Sequence, residues 1–257
     1  MKARRVIHSG RQSVIAMTVI TAILVSGLVL PSGAGEGREM DTIQTSGGDL
    51  NITFIGHATL MMSYAGKVIH IDPWSKLADY SALPKADIIL VTHEHPDHLD
   101  TGAIKNLWKD GTQAIVNRAS SSKVQGSIVM TNGEARTIQG LRIEAVPAYN
   151  LVHVRAPGQP YHPKGGGNGY VVTFGDKRIY VAGDTENTPE MKSLPDIYCA
   201  FLPMNLPYTM TPEMVADGAK AIKPKMLYPY HFGETDPSAL LTLLKGSGID
   251  VRVRKLQ

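Results

Sequence analysis

Cysteine is almost absent from this sequence, since Cys199 is the single one among 257 residues. One thiol cannot build an internal disulfide framework or a cysteine-rich zinc knuckle. Strong charge is absent as well: the net charge is +3, and four basic residues between positions 2 and 11 supply part of it. The rest of the chain is close to neutral, so we expect no nucleic acid partner.

The first 34 residues have the pattern of a segment that directs export. A basic stretch ends at Arg11, an apolar run of 18 residues extends from Ser13 to Leu30, and small residues follow. This order predicts a signal peptide cleaved after Ala34, while the length of the run also suits an uncleaved N-terminal membrane anchor. No cysteine lies directly after the run, which excludes a lipoprotein anchor. In both cases we expect a periplasmic or extracellular protein that contacts a membrane only through this segment.

The rest of the chain divides into a polar linker at residues 35–48 and one folded domain at residues 49–257. A hydrophobic content of 43% suffices for one substantial core. Strand-type runs come first and helical patterns later, twice along the domain. We therefore predict an α/β (α+β) fold with two sheets packed face to face and helices outside. The predicted helices include Thr101–Lys109, Ser120–Gln125 and Pro212–Ile222, the last with Thr211 as its N-cap.

The segment Thr92–Asp100 contains three histidines and two aspartates within nine residues, directly after an apolar run. Histidine is scarce elsewhere, because the whole chain has nine, so a solvated polar turn is a poor explanation. His93 and His95 are two residues apart on an extended backbone and point to the same side, which allows both to bind one ion. Asp97 and His98, beyond the bend, are left for a second ion.

Two later residues also follow strand-type runs and could complete a metal centre. Asp184 comes after the run at 178–182, and His231 after the run at 226–230. A carboxylate can bridge two cations, which a neutral histidine cannot do. The alternatives are a helix N-cap for Asp184 and a core histidine for His231.

These motifs and their order resemble the metallo-β-lactamase-fold hydrolases, over most of residues 50–235. The chain is most similar to the branch that includes ascorbate-phosphate lactonase and the N-acyl-phosphatidylethanolamine phospholipase D type enzymes, through segments 54–59, 71–73 and 202–205. The resemblance implies a four-layer αββα sandwich, the metallo-β-lactamase fold. It also implies one metal held by His93, His95 and a third histidine, and a second held by Asp97, His98 and His231, with Asp184 bridging.

The third histidine is where this sequence departs from the family pattern. The family has it shortly after a Pro-Ala pair, but Pro147–Tyr149 is followed here by Asn150. An amide oxygen is a weaker ligand for a borderline-soft ion. His162 and His153 are the substitutes, and we favour His162 because the glycine-rich loop 151–169 can fold back toward the metals. Asn150 itself and His153 stay open as alternatives.

Several other residues near these motifs have two readings. Asp72 is either a turn former before Pro73 or a residue that orients a ligand histidine. His57 is expected to be structural or orienting rather than a ligand, and His70 to lie on a strand surface. Lys164 is either solvated or the partner of an anionic substrate group. Candidates for substrate contact are Tyr149, Asn168, Asn205 and Tyr208.

Two divalent metal ions, most simply zinc with manganese or iron as alternatives, would supply a metal-bridged hydroxide that attacks an ester, lactone or phosphodiester. Asp97 is the candidate catalytic residue that accepts or relays the proton. The expected substrate is a small molecule, which includes lipid-like ones. The alternative from another class is a metal-poor binding module without hydrolytic activity. A di-iron redox enzyme is disfavoured, because that branch resembles HxExDH and usually carries a flavin domain, whereas position 95 is histidine.

Overall fold

A computed structural model describes Met1 and residues 37–256 of the chain. Apart from Met1, the predicted signal peptide or membrane anchor at residues 1–34 therefore lies outside the described residues. So do residues 35 and 36, the first two of the predicted linker. Residues 37–256 belong to a single unit. None of the helices within this part of the chain combines the length and the hydropathy that a transmembrane span requires.

The first half of the described chain forms a seven-stranded sheet, called here the first sheet. Its strands, in their order across the sheet, are β1 (Met40–Thr45), β2 (Gly48–Gly56), β3 (Thr59–Tyr64), β4 (Lys67–Ile71), β5 (Ile88–Leu90), β6 (Gln113–Val116) and β7 (Ile128–Val129). Strands β1 to β4 pair antiparallel, and β4 to β7 pair parallel. The carboxyl ends of β4 to β7 therefore lie at one edge of the sheet.

The second half forms another seven-stranded sheet, the second sheet, and a short hairpin. The strands in chain order are β8 (Ala135–Ile138), β9 (Leu141–Ala148), β10 (Val154–Ala156), β11 (Gln159–Pro160), β12 (Gly167–Phe174), β13 (Lys177–Val181), β14 (Ile197–Pro203), β15 (Met226–Tyr230) and β16 (Asp250–Val251). The order across the sheet is β16-β15-β14-β13-β12-β9-β8, and β10 pairs with β11. As in the first sheet, antiparallel pairs come first and parallel pairs follow.

Four helices are described: α1 (Thr101–Leu107), α2 (Pro189–Lys192), α3 (Pro212–Ile222) and α4 (Ser238–Leu243). Thr211 accepts a hydrogen bond from the backbone N–H of Met214, so it caps α3 as predicted from the sequence. Asp100 caps α1 through the backbone N–H groups of Gly102 and Ala103. The second cap matters for the site, because it fixes the chain directly after the histidine-rich loop.

The layers follow from the alternation of side chains along the central strands. Ile88 and Leu90 of β5 lie in a core that also contains residues of the second sheet, whereas Ile89 packs on the other face with Ile104 and Leu107 of α1. Successive strand residues point to opposite faces, so β5 is covered on both sides. On the other side of the molecule, α3 packs against β14. The predicted four-layer αββα sandwich is confirmed.

Three local predictions differ from the structure. Residues 40–45, assigned to the linker, form β1, which pairs with β2 although Ile43 is its only buried residue. Residues 120–125 form successive turns rather than a helix, because only Ser120 and Val124 are buried and no apolar face exists. The loop 151–169 contains the β10–β11 hairpin.

His70 is buried rather than on a strand surface. Its Nε2 lies 3.0 Å from the carbonyl oxygen of Pro84. Burial lowers the pKa of this imidazole to about 4. The prediction was wrong because it treated β4 as covered on one face, whereas the segment that contains Tyr80 and Pro84 covers His70 on the other face.

Candidate metal centre

Three polar segments singled out in the sequence follow the carboxyl ends of strands that have parallel partners. The loop at 92–98 follows β5, Asp184 follows β13, and His231 follows β15 directly. Because parallel strands end at the same edge of a sheet, the loops of each sheet meet there, and the face-to-face packing brings the two edges together. Asn168 of β12 donates its backbone N–H to the carbonyl oxygen of Thr92 at 2.9 Å, which joins the two sheets at this edge.

One group of potential ligands consists of His93, His95, His162 and Asp184, whose ligand atoms all lie within 4.8 Å of one another. The Nε2 of His93 is 3.0 Å from the Nδ1 of His95. The Nε2 of His162 is 3.2 Å from the Oδ2 of Asp184. Two ligands at 2.0–2.1 Å from a tetrahedral ion would be separated by about 3.3 Å, so these spacings suit one divalent cation.

A second group consists of His57, Asp97, His98 and His231, also within 4.8 Å. The Oδ2 of Asp97 lies 3.7 Å from the Nε2 of His98 and 3.6 Å from the Nε2 of His231. The other oxygen of Asp184 faces this group, because its Oδ1 is 3.5 Å from each of the same two nitrogen atoms. Asp184 therefore lies between the two groups, with one carboxylate oxygen toward each.

Three buried atoms at this junction have no hydrogen-bond partner among the described residues: the Nε2 of His98, the Nε2 of His231 and the Oδ1 of Asp184. Buried polar atoms are almost always paired, so three unpaired ones converging on one point require an explanation. A divalent cation bound to two imidazoles and a carboxylate accounts for all three. The residues present thus fit a metal ion.

Buried carboxylates dominate the electrostatics of the site, and they favour positive charge there, either as a proton on an imidazole or as a bound cation. Burial lowers the pKa of His98, but the carboxylates of Asp184 and Asp72 raise it well above its usual value. Burial raises the pKa of Asp184, but His231 and His98 hold it well below the usual range. Burial, with His98 adding to it, lowers the pKa of His93, which keeps that imidazole neutral. The neutral form is the one that binds metals.

Asp72 orients two of the imidazoles, which was one of the two roles that the sequence suggested for it. Its Oδ2 is 2.8 Å from the Nδ1 of His98, and the hydroxyl of Thr92 donates to the same oxygen at 2.7 Å. The Nδ1 of His93 is 3.0 Å from that hydroxyl. Each imidazole thus has its Nδ1 occupied and its Nε2 directed into the site.

Asn150 lies beside the cluster and holds His162 rather than joining the ligand groups. Its Oδ1 accepts hydrogen bonds from the Nδ1 of His162 at 2.8 Å and from its backbone N–H at 2.7 Å. Its amide nitrogen donates to Glu186 and to the carbonyl oxygen of Tyr208. His153, the other alternative, has its Nδ1 at 2.7 Å from the Oε1 of Glu186 and lies in neither ligand group. Of the three candidates for the third ligand, the structure brings His162 to the site.

His57 contacts the second group from the side of the first sheet. Its Nε2 lies 3.1 Å from the Oδ2 of Asp97, and its ring centre lies 3.7 Å from that of His231. The backbone N–H of His231 donates to the carbonyl oxygen of His57 at 3.1 Å. His57 therefore connects a loop of the first sheet to a ligand from the second.

A cleft of about 410 Å³ opens onto both groups. Besides the histidines and aspartates, its walls contain Arg155, Tyr161, Asn205 and Tyr208. Asn205 and Tyr208 were candidates for substrate contact, whereas Tyr149 and Asn168 bond to Glu190 and to the carbonyl oxygen of Met130 instead. The sequence reading missed Arg155 and Tyr161, since they belong to the unrecognised hairpin segment. The signal that could have found them is the alternation of exposed apolar and basic residues at 151–155.

A two-sheet αββα sandwich with a histidine and aspartate cluster at its strand ends defines the class of metallo-β-lactamase-fold, metal-dependent hydrolases. The family profile described as the beta-lactamase superfamily domain matches residues 51–231, and the chain belongs to this family. The matched segment includes every residue of the two ligand groups.

Individual relatives agree with this membership. A metal-dependent hydrolase from Methanopyrus kandleri is 31% identical over 229 residues, which are 79% of this chain and 95% of that protein. The solved structure of a protein from Parabacteroides distasonis, assigned as a metal-dependent hydrolase, is 50% identical with a TM-score of 0.82, covering 86% of this chain and all of that one. A metallo hydrolase from Ignicoccus hospitalis, 24% identical with a TM-score of 0.67, covers 80% and 95% and shares the fold.

Proposed function

We propose that this metal-dependent hydrolase is dinuclear, and that it cleaves an ester, lactone or phosphodiester bond in a small molecule. The observation that carries the proposal is the position of Asp184, whose two carboxylate oxygens face two separate groups of ligands. In this assignment His93, His95 and His162 would hold one ion, Asp97, His98 and His231 would hold the other, and Asp184 would supply one carboxylate oxygen to each. Nitrogen and carboxylate donors suit zinc best, with manganese or iron as alternatives.

Two divalent cations, when bound, lower the pKa of a water molecule from 15.7 toward about 7 and polarise the oxygen of the bond under attack. The chain's own residues supply orientation and proton transfer. Asp72 and Asn150 fix the imidazoles through their Nδ1 atoms. Asp97 has a side chain 31% exposed to the cleft, so it can accept a proton there and pass it to solvent.

We further propose that the protein acts outside the cytoplasm, because residues 1–34 have the basic, apolar and small-residue order of an export segment. The substrate is a small molecule that reaches the cleft from solvent or from a membrane surface. Neither the mild net charge nor the cleft favours nucleic acid.

The first experiment measures metal content and turnover of the same purified protein. We expect two metal equivalents per chain and hydrolysis of bis(4-nitrophenyl) phosphate, 4-nitrophenyl acetate or a γ-lactone. Chelation should abolish turnover and lower the thermal midpoint by roughly 5–10 °C, because ligands bound at about 100 times their dissociation constant stabilise by about 2.7 kcal/mol. The variant His95→Ala should lose one equivalent and nearly all activity.

His153→Ala is the matched control, since this histidine lies on the neighbouring loop but in neither ligand group. It should keep both metal equivalents and its activity. A wild-type protein with one equivalent or none, and no turnover across the panel, would instead support the metal-poor binding module.

A further inference from the structure

Arg155 is the one lysine or arginine among the residues that line the cleft. It lies on β10 and is exposed. Its guanidinium is 5.5 Å from the ring centre of Tyr161, and no carboxylate within the described residues forms an ion pair with it. An unpaired guanidinium at the mouth of a cleft is a ready binding site for an oxyanion, because its planar donors match a carboxylate or phosphate.

Lys164 was the basic residue that the sequence suggested for this role, and its contacts exclude it from the cleft. Its Nζ pairs with Glu190 at 2.9 Å and lies 3.3 Å from the hydroxyl of Tyr149. It does not belong to the lining of the cleft. Arg155 therefore replaces Lys164 as the candidate partner of an anionic substrate group.

Two tyrosines form the wall next to Arg155. The rings of Tyr161 and Tyr208 meet edge to face, with centres 5.0 Å apart and planes at 79°. Tyr208 is 45% exposed, although the carbonyl oxygen of this residue is held by Asn150. The two rings thus form an aromatic surface in the cleft. The backbone of Tyr208 is held by Asn150, the residue that also bonds to His162.

The loops around this wall carry an unusual amount of exposed apolar surface. Nine large apolar side chains are exposed within the described residues, and five of them lie at 151–154 and 206–208. We call four of these the apolar rim: Leu151, Val152, Val154 and Leu206. Exposed apolar side chains that cluster in space commonly mark a binding surface. Val154 and Leu206 of the rim are next in sequence to Arg155 and Asn205, which line the cleft.

We propose that Arg155 binds an oxyanion of the substrate, and that Tyr161, Tyr208 and the apolar rim bind a hydrocarbon part of the same molecule. The substrate is therefore an amphiphilic anion, with a carboxylate or a phosphate as its acidic group. The description of this ligand as a substrate rests on the proposed hydrolytic function. The test of this inference measures binding, which does not depend on turnover.

The experiment uses calorimetric titration of the metal-loaded protein with octanesulfonate, methanesulfonate and 1-octanol. A sulfonate is a weak ligand for metal ions, so it reports on Arg155 rather than on the metal centre. Octanesulfonate should bind at least tenfold more tightly than either methanesulfonate or 1-octanol. Arg155→Gln should weaken the binding of octanesulfonate about tenfold, because one charged hydrogen-bonding partner is lost. The affinity for 1-octanol should stay unchanged. Octanoate and octyl phosphate then distinguish the two sources of the oxyanion.

Arg136→Gln is the matched control, because Arg136 is exposed on the edge strand β8 and does not line the cleft. It should bind every probe as the wild type does. Arg155→Lys keeps the charge without the planar fork and should retain part of the affinity. Wild-type affinity for octanesulfonate in Arg155→Gln overturns the proposal, as does the absence of any octanesulfonate binding. Binding that depends on Arg155, in a protein without turnover, would contradict the proposed hydrolytic function and support this subsite.

Discussion

Asn150 fixes the orientation of His162, a proposed metal ligand, and itself lies outside both ligand groups. Its oxygen accepts both hydrogen bonds from His162, and its nitrogen is held by Glu186 and by the carbonyl oxygen of Tyr208. Glu186 is fully buried and accepts three further hydrogen bonds, from the backbone N–H groups of residues 151 to 153. Burial raises the pKa of Glu186, but these hydrogen bonds lower it below the usual value, which keeps the network charged and fixed.

Replacing Asn150 tests this positioning role. Asn150→Ala removes the acceptor of the His162 Nδ1–H, so we expect the affinity for one metal ion to fall by about 10–100-fold. Competition with a chromogenic chelator measures this affinity, and circular dichroism checks that the fold persists.

His153→Ala is the control for Asn150→Ala, because His153 bonds to the same Glu186 without touching His162. It should bind metal with wild-type affinity. An equal loss in both variants would mean that the loop as a whole, rather than Asn150, positions the ligand.

At the scale of residues, the sequence pointed to side chains that the structure does bring together, but not to all of their contacts. The spacing of His93, His95 and His98 marks a metal site by itself, because three imidazoles so close together have few other uses. Whether Asn150, His153 or His162 reaches the cluster depends on how a loop folds back over twelve residues, which local pattern does not determine. Arg155 was missed for the same reason.

The turn after β13 positions Asp184 in the site, and the conformation of this turn depends on Gly183. This glycine has a φ of +66°, and a Cβ atom there would lie 2.9 Å from the carbonyl oxygen of Asn168 and 3.1 Å from the Cβ of Thr92. Its backbone N–H donates to the hydroxyl of Tyr230 at 2.8 Å. The left-handed turn and the close approach of the two sheets therefore meet at one residue.

Gly183→Ala should lower both stability and metal affinity. We expect a loss of about 2–5 kcal/mol in the free energy of unfolding, the sum of a left-handed alanine and a clash with fixed backbone. The same shift should displace Asp184 and weaken both metal ions. Urea unfolding and metal titration measure the two effects.

Gly140→Ala separates the cost of the left-handed backbone from the cost of the clash. Gly140 has a φ of +85°, but a Cβ atom added there would have nothing within 4 Å. This substitution should cost only about 1–2 kcal/mol and leave metal binding unchanged. Equal costs for the two variants would show that the approach of the sheets at Gly183 is unimportant.

At the scale of elements, most strands and all four described helices were predictable from periodicity and capping residues. Thr211 and Pro212 marked the start of α3 correctly, because capping is a local interaction. Strand β1 was missed, since with Ile43 as its single buried residue its pattern is that of a polar linker. It is a strand because β2 offers it a partner, which is a tertiary effect.

The two sheets are also joined far from the site, through Asp41 of β1. Its carboxylate accepts hydrogen bonds from Tyr228 of the second sheet and from Arg252 and Arg254 near the C-terminus. The side chain is 13% exposed. Burial raises the pKa of Asp41, but hydrogen bonds from Tyr228 and Arg254 lower it below its usual value. This cluster connects the first strand described to the last part of the chain.

Asp41→Asn should destabilise the protein in a pH-dependent way. At pH 7 we expect a loss of about 1.5–3 kcal/mol, because a charged hydrogen-bonding partner is removed. The folded-state pKa lies below the unfolded value of 3.8, so the wild-type advantage is complete above pH 3.8 and is lost as the pH falls through the folded-state pKa. Urea unfolding at a series of pH values measures the difference.

Asp217→Asn serves as the control, since Asp217 forms an exposed ion pair with Lys192, its side chain being 55% exposed. An exposed pair contributes about 0–1 kcal/mol, so the change should be small at every pH. A pH-independent difference between wild type and Asp41→Asn would contradict the role assigned to the Asp41 charge.

The ligands proposed for each ion come from both sheets, and this has a consequence for the order of assembly during synthesis. A ribosome-bound chain that ends before Asp184 contains the histidine-rich loop and lacks the bridging carboxylate, and His231 emerges later still. Neither ion can be held in full until the second sheet has formed and packed on the first. We therefore expect a chain truncated before Asp184 to bind neither ion with full affinity, so that metal loading accompanies or follows the packing of the second sheet.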